Sequence, residues 1–80
     1  MAHRVEVLTR VGCHLCDVAE QEVARICTEL DVPWSATDVD SDAELRAEYG
    51  DQVPVIMVDG REHGFWTVEP DRLRAALTGP

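Results

Sequence analysis

"LTRVGCHLCDVAEQEVARI" spans residues 8–26 and places two cysteines where a strand pattern gives way to a helix pattern. Gly12 marks the turn, and Cys13 and Cys16 stand three positions apart at the start of an amphipathic stretch. A cysteine pair at this spacing is typical of three kinds of site: a metal-binding site, a structural disulfide and a reactive dithiol. The rest of the sequence helps to separate the three.

Length and composition predict one small globular domain over residues 1–80. The hydrophobic fraction is 45% with only one Phe, one Tyr and two Trp, so the core is expected to be aliphatic. A formal net charge of −9 opposes binding to nucleic acid or to an anionic membrane surface. No apolar run is long enough for a signal peptide or a membrane span, so we expect a cytoplasmic monomer.

The cysteine count bears on which kind of site is present. Structural disulfides are rare in the cytosol, and three cysteines cannot all be paired within one chain. We therefore interpret the Cys13–Cys16 pair as a redox site or a metal site rather than a structural disulfide.

Hydrophobic periodicity predicts an alternation of strands and helices. The expected strands are 4–9, 34–39, 53–58 and 61–66, and the expected helices are 14–30, a short one between Ser41 and Gly50, and one within 68–77. In the first helix the apolar stripe is predicted to comprise Val18, Val23, Ile26, Cys27 and Leu30. The first two strands, joined through this helix, should pair in parallel.

Local signals set the expected boundaries of these elements. Asp31-Val-Pro33 should end the first helix. Ser41 with Glu44 forms a capping-box pattern at the start of the short helix, and Gly50 is a favoured residue at its end. Asp59-Gly60 predicts a tight hairpin between the last two strands.

The predicted order, β-α-β-α-β-β-α, resembles the thioredoxin superfamily, and within it the compact bacterial glutaredoxin-like proteins. The resemblance rests on "TRVGCHLCD", "QVPVIMVDG" and the closing "EPDRLRAAL", and it covers essentially the whole chain. It implies an α/β, thioredoxin-like fold with a four-stranded mixed sheet flanked by three helices. It also implies thiol–disulfide oxidoreductase chemistry.

The position of the dithiol predicts different roles for its two members. Cys13 would lie at the first turn of a helix, where free N–H groups and the helix dipole favour a thiolate. Arg10, three residues upstream, can add a positive charge, and His14 between the cysteines could do so if protonated. Cys16 would lie one turn deeper, so we expect Cys13 to attack a disulfide and Cys16 to resolve the intermediate. The plain alternative is two small buried residues without chemistry.

A metal site is the competing interpretation of the cysteines. Structural zinc needs four ligands, and Cys27 would lie about 16 Å from Cys16 along the same helix, too far to share one ion. His3 and His63 would have to be brought near by folding. We predict no metal site, and we expect Cys27 to be a small core residue, with a regulatory thiol as the alternative.

The resemblance adds a second candidate region, Gln52-Val53-Pro54. In such proteins a cis-proline opens the third strand and faces the dithiol, and the preceding backbone pairs with a bound peptide or thiol. Glutaredoxins also use a basic residue before the cysteines, which Arg10 matches, and a Gly-Gly-x-Asp turn after the fourth strand, which "HGFWTVEP" lacks. Phe65 and Trp66 could flank the site, but core packing is expected.

These observations favour a thiol–disulfide oxidoreductase that serves electron transport in cell redox homeostasis. The expected partners are a disulfide-bearing protein or small mixed disulfide, and a reductase or small thiol as reductant. No resident cofactor is expected; a low-molecular-weight thiol is a candidate co-reductant, and the missing turn argues against glutathione. A metal or iron–sulfur carrier and a non-catalytic interaction module are the alternatives.

Overall fold

The computed structural model describes residues 3–79 and shows within them the predicted order of strands and helices. The strands are β1 (Val5–Thr9), β2 (Trp34–Asp38), β3 (Val55–Val58) and β4 (Arg61–Phe65), and the helices are α1 (His14–Leu30), α2 (Ala43–Tyr49) and α3 (Pro70–Thr78). The α/β prediction is confirmed, with each strand one or two residues shorter than predicted. Val39, expected in the second strand, instead begins a short 3-10 turn, Val39–Ser41.

The four strands form one mixed sheet in the order β2-β1-β3-β4. β1 pairs in parallel with β2, as the intervening helix predicts, and antiparallel with β3, which in turn pairs antiparallel with β4. β1 is thus an interior strand, and its end at Thr9 leads into the turn that precedes Cys13 and the start of α1.

Side chains on the two faces of the sheet form two cores. Val5 and Val7 pack with α1 and α3, in a cluster that includes Val23, Ile26 and Leu73. Leu8, on the opposite face, packs with Val39 and Val55. Cys27 is 1% exposed within the first cluster, which confirms its prediction as a core residue. Burial also raises the pKa of the Cys27 thiol.

Two of the boundary signals are confirmed by backbone geometry. Asp31 takes a left-handed conformation with φ of 56° and ends α1. Asp59 and Gly60 have φ of 54° and 81°, the left-handed pair that a two-residue hairpin turn requires.

The predicted cap of α2 is displaced by one residue. Asp42, not Ser41, is the N-cap, and its carboxylate accepts hydrogen bonds from the N–H groups of Glu44 and Leu45. Ser41 belongs to the preceding 3-10 turn, where its hydroxyl donates to the carbonyl of Asp38. The capping-box prediction is therefore wrong, because that turn uses the serine before α2 begins.

Candidate active site

Cys13 is the N-cap residue of α1, and its sulfur takes the place of a capping oxygen. The Cys13 Sγ accepts a hydrogen bond from the backbone N–H of Cys16 at 3.1 Å, while the Cys13 carbonyl accepts from Asp17 N–H at 3.3 Å. The residue is half-buried, whereas the other two cysteines are buried. A sulfur held against helix N–H groups is placed where negative charge is stabilised.

Cys16 lies one turn further along α1 and is 1% exposed. Burial, and then the side-chain hydrogen bond with Cys13, raise the pKa of the Cys16 thiol to about 12, although a backbone hydrogen bond from Arg10 opposes the rise. Cys16 therefore keeps its proton at neutral pH. The pair is asymmetric, with one accessible sulfur at the helix end and one buried thiol beside it.

Arg10 contacts the dithiol through its backbone. Its carbonyl accepts a hydrogen bond from Cys13 N–H at 3.2 Å. Its guanidinium is engaged elsewhere: Nε donates to Asp40 Oδ2 at 2.9 Å, Nη2 donates to Asp40 Oδ1 at 3.2 Å, and Nη1 donates to the Gly50 carbonyl at 3.3 Å. The ion pair with Asp40 raises the pKa of Arg10. The expected positive charge is therefore present but already paired.

The Gln52-Val53-Pro54 segment joins α2 to β3. The Val53–Pro54 peptide bond is cis, as the resemblance implies. Pro54 is buried, and the Val53 side chain packs against the second core cluster. Within residues 3–79, neither the N–H nor the carbonyl of Val53 takes part in a hydrogen bond. That this segment faces Cys13 and binds a substrate stays a prediction.

The two residues between the cysteines both face outward. His14 is the first residue of α1 and is exposed, and Leu15 is 49% exposed. The described hydrogen bonds include none to the His14 side chain, so its expected role in stabilising the thiolate stays a prediction.

Two predictions of core packing near the dithiol are wrong. Val18 is 45% exposed, because the buried face of α1 runs through Ala19, Val23 and Ile26, and position 18 is rotated away from it. Phe65 and Trp66 are 43% and 54% exposed, since β4 is an edge strand and ends before Trp66. Hydrophobic character alone could not show that these residues lie at the surface.

Trp66 is presented by a tight turn. Its φ is 72°, and Thr67 N–H donates across it to the Phe65 carbonyl at 2.9 Å, which is a γ-turn of the rare, strained kind. The Trp66 N–H donates to the Pro54 carbonyl at 2.8 Å, and the Phe65 and Trp66 rings stack edge to face with centroids 5.0 Å apart. Trp66 is thereby fixed beside the cis-proline segment.

Trp66, Leu15 and Val18 form what we term the apolar patch. The three residues line one cavity of about 100 Å³, together with Ala19, Glu22, Thr67 and Val68. Leu15 lies between the two cysteines, so the patch begins on the same first turn of α1 as the dithiol. An exposed apolar surface beside a reactive group is a place where an apolar side chain can dock.

The described residues do not bring together the side chains of a metal site. Among residues 3–79, no three His, Cys, Asp or Glu side chains are grouped so that they could hold a metal ion. A metal held by Cys13 and Cys16 would therefore need ligands from outside this part of the chain.

The helices of the described chain are too short or too polar to cross a membrane.

Comparison with known proteins connects this geometry to a family. Residues 4–78 match the family described as Glutaredoxin-like domain (DUF836). The chain is 44% identical to an uncharacterized protein of Mycobacterium tuberculosis, over 92% of this chain and 81% of that protein.

Solved structures show the same architecture. A structural-genomics target protein from X. campestris is 35% identical and superposes with a TM-score of 0.74, over 95% of this chain and 99% of that one. A thioredoxin from Fasciola hepatica is 23% identical, with a TM-score of 0.64 over 96% of this chain and 79% of that one, which bears on the fold alone. The predicted thioredoxin-like fold is confirmed.

Proposed function

The chain belongs to the glutaredoxin-like (DUF836) domain family, and on that premise we propose that it is a small thiol–disulfide oxidoreductase acting through Cys13 and Cys16. The observation that carries the proposal is the asymmetry of the pair. Cys13 is half-buried and hydrogen-bonded at a helix N-terminus, whereas Cys16 is buried behind it with its pKa raised to about 12.

The first step is attack by the Cys13 thiolate on one sulfur of a substrate disulfide. A bond forms between Cys13 and that sulfur, the substrate S–S bond breaks, and the other substrate sulfur leaves as a thiolate. The backbone N–H of Cys16 donates to the Cys13 sulfur, which favours its negative charge before the attack.

The second step releases the substrate. Cys16 loses its proton and attacks the Cys13 sulfur, so that a Cys13–Cys16 disulfide forms and the second substrate sulfur leaves as a thiolate and takes up a proton. The substrate has gained two electrons, and the protein has lost two. A reductase or a low-molecular-weight thiol must return two electrons to complete the cycle.

Several observations support a polypeptide disulfide as the substrate. The apolar patch includes Leu15, which lies between the two cysteines, and the unpaired N–H and carbonyl of Val53 could pair with an extended chain. The Arg10 guanidinium, which could otherwise attract an anionic small thiol, is held by Asp40. These features favour a dithiol route on protein substrates over a glutathione-dependent one.

The test is reduction of insulin disulfides and of a glutathione mixed disulfide by purified variants. Cys13→Ser should abolish both reactions, and Cys16→Ser should accumulate a mixed disulfide on Cys13. Cys27→Ala, which removes the buried third thiol, should retain activity.

Two results would contradict the proposal. Failure of the wild-type protein to reduce any disulfide would remove the oxidoreductase function. Near wild-type turnover by Cys16→Ser with glutathione as sole reductant would replace the dithiol route with a monothiol one.

A further inference from the structure

The Arg10–Asp40 ion pair lies on the turn that leads into the dithiol. Both carboxylate oxygens of Asp40 and the Gly50 carbonyl accept from the guanidinium, at 2.9, 3.2 and 3.3 Å. A guanidinium that already donates two N–H groups to one carboxylate has few N–H donors left for a second anion. The pair links the turn before Cys13 to the segment between β2 and α2, thirty residues away.

Asp40 is itself held in place and is not isolated. Its backbone N–H donates to the Asp38 carboxylate at 2.9 Å. Asp38 and Asp51 also lie close enough to the guanidinium to raise the pKa of Arg10. Three carboxylates therefore lie around one guanidinium, so these four side chains together carry a net negative charge.

We propose that Asp40 is a specificity-determining residue, which neutralises Arg10 and so makes the dithiol discriminate against anionic disulfides and in favour of cationic ones. The inference rests on the oxidoreductase function proposed above and adds the charge class of its substrate. An anionic disulfide approaching Cys13 meets a paired guanidinium and the surrounding carboxylates, whereas a disulfide flanked by basic groups meets attraction.

Asp40 has a second effect, which the test must separate from the first. The Arg10 carbonyl accepts the Cys13 N–H, so the ion pair also anchors the backbone that positions Cys13. Loss of anchoring would slow all substrates alike. Loss of charge compensation would change the ratio between anionic and cationic substrates.

The experiment uses three small aliphatic disulfides: dithiodiglycolate, a dianion; hydroxyethyl disulfide, which is neutral; and cystamine, a dication. Each rate with the reduced protein is divided by the rate of the same probe with dithiothreitol, to remove intrinsic reactivity. Asp40→Asn should lower the cystamine-to-dithiodiglycolate ratio by about three- to tenfold at low salt. The change should shrink at about 0.5 M salt, where charges are screened beyond about 4–5 Å.

Matched variants control for net charge and for folding. Glu44→Gln makes the same change in net charge on the exposed first turn of α2 and should leave the ratio unchanged. Asp40→Glu retains the carboxylate and should restore the wild-type ratio. If Asp40→Asn does not fold, Arg10→Gln uncovers the Asp40 carboxylate and should raise the ratio instead.

The outcomes separate the two proposals. If the wild-type protein reduces neither insulin nor hydroxyethyl disulfide, the oxidoreductase function is overturned, and this inference with it; if it reduces insulin but none of the three probes, only this inference is overturned. If it reduces the neutral probe but Asp40→Asn changes all three rates by one factor, only the role of Asp40 in specificity is overturned.

Discussion

The Cys13 sulfur accepts the backbone N–H of Cys16 at 3.1 Å, so the residue that we propose to attack is hydrogen-bonded to the residue that we propose to resolve its intermediate. This contact depends on Cys13 standing at the N-cap and Cys16 at the third helical position. It gives the two chemically identical side chains different environments, one at the helix end and one inside the core.

The first prediction concerns the order in which the cysteines react. Limiting iodoacetamide at neutral pH should label Cys13 first, with Cys16 and Cys27 labelled at least about tenfold more slowly, because only Cys13 combines access with helix N–H groups. Mass spectrometry of peptides from the native protein measures the order. Faster labelling at Cys16 would reverse the proposed roles.

The second prediction concerns docking at the apolar patch. Trp66→Ala should lower kcat/KM for insulin disulfides by about tenfold, since a large aromatic contact surface is lost. Reduction of hydroxyethyl disulfide, which has no polypeptide side chain to dock on the patch, should change by less than about twofold. Trp66→Phe should restore most of the activity on insulin. Equal losses on both substrates would show that Trp66 acts on the dithiol rather than on docking.

The third prediction concerns the backbone at Trp66. Glycine tolerates positive φ, so Trp66→Gly should be more stable than Trp66→Ala by about 1 kcal/mol, although both remove the same ring. Urea unfolding of the two variants gives this difference directly. Equal stability, or a more stable alanine variant, would mean that the turn carries no backbone strain.

The fourth prediction concerns pH and the contact between His3 and the β3–β4 turn. His3 Nδ1 bonds Asp59 Oδ2 at 2.6 Å and Nε2 bonds the Gly79 carbonyl at 3.1 Å. The hydrogen bond with Asp59, and then that with Gly79, raise the pKa of His3 above 6.5, while the bond with His3 lowers the pKa of Asp59 below 3.8.

The sign of the pH effect follows from these two shifts. The raised pKa of His3 contributes stability below pH 6.5 that is lost as pH rises through the folded-state value. The lowered pKa of Asp59 contributes stability above pH 3.8. His3→Gln should therefore destabilise the protein more at about pH 5.5 than at about pH 8.5. Equal losses at both pH values for His3→Gln would contradict the assignment.

The fifth prediction distinguishes the two candidate caps of α2. Asp42→Ala should cost about 0.5–2 kcal/mol of stability, because two helix N–H groups lose their acceptor. Ser41→Ala removes one exposed hydrogen bond to Asp38 and should cost less. Thermal unfolding compares the two, and a larger loss at Ser41 would support the capping box instead.

The sequence by itself determined the order of elements, the position of the dithiol at the start of α1 and the burial of Cys27. These features depend on interactions within a few residues: hydrophobic periodicity, turn residues and the two left-handed positions at Asp59 and Gly60. The resemblance to a known family supplied the cis Val53–Pro54 bond, which periodicity alone does not indicate.

Tertiary structure decided the surroundings of the dithiol. Arg10 pairs with Asp40, thirty positions along the chain, and Trp66 lines one cavity with Leu15 and Val18 of α1. Such contacts arise only when the sheet places distant segments side by side, so the sequence of a single segment does not predict them. For this reason the sequence could locate Cys13 and Cys16, whereas the paired charge of Arg10 and the exposure of Trp66 follow from the packing of the whole fold.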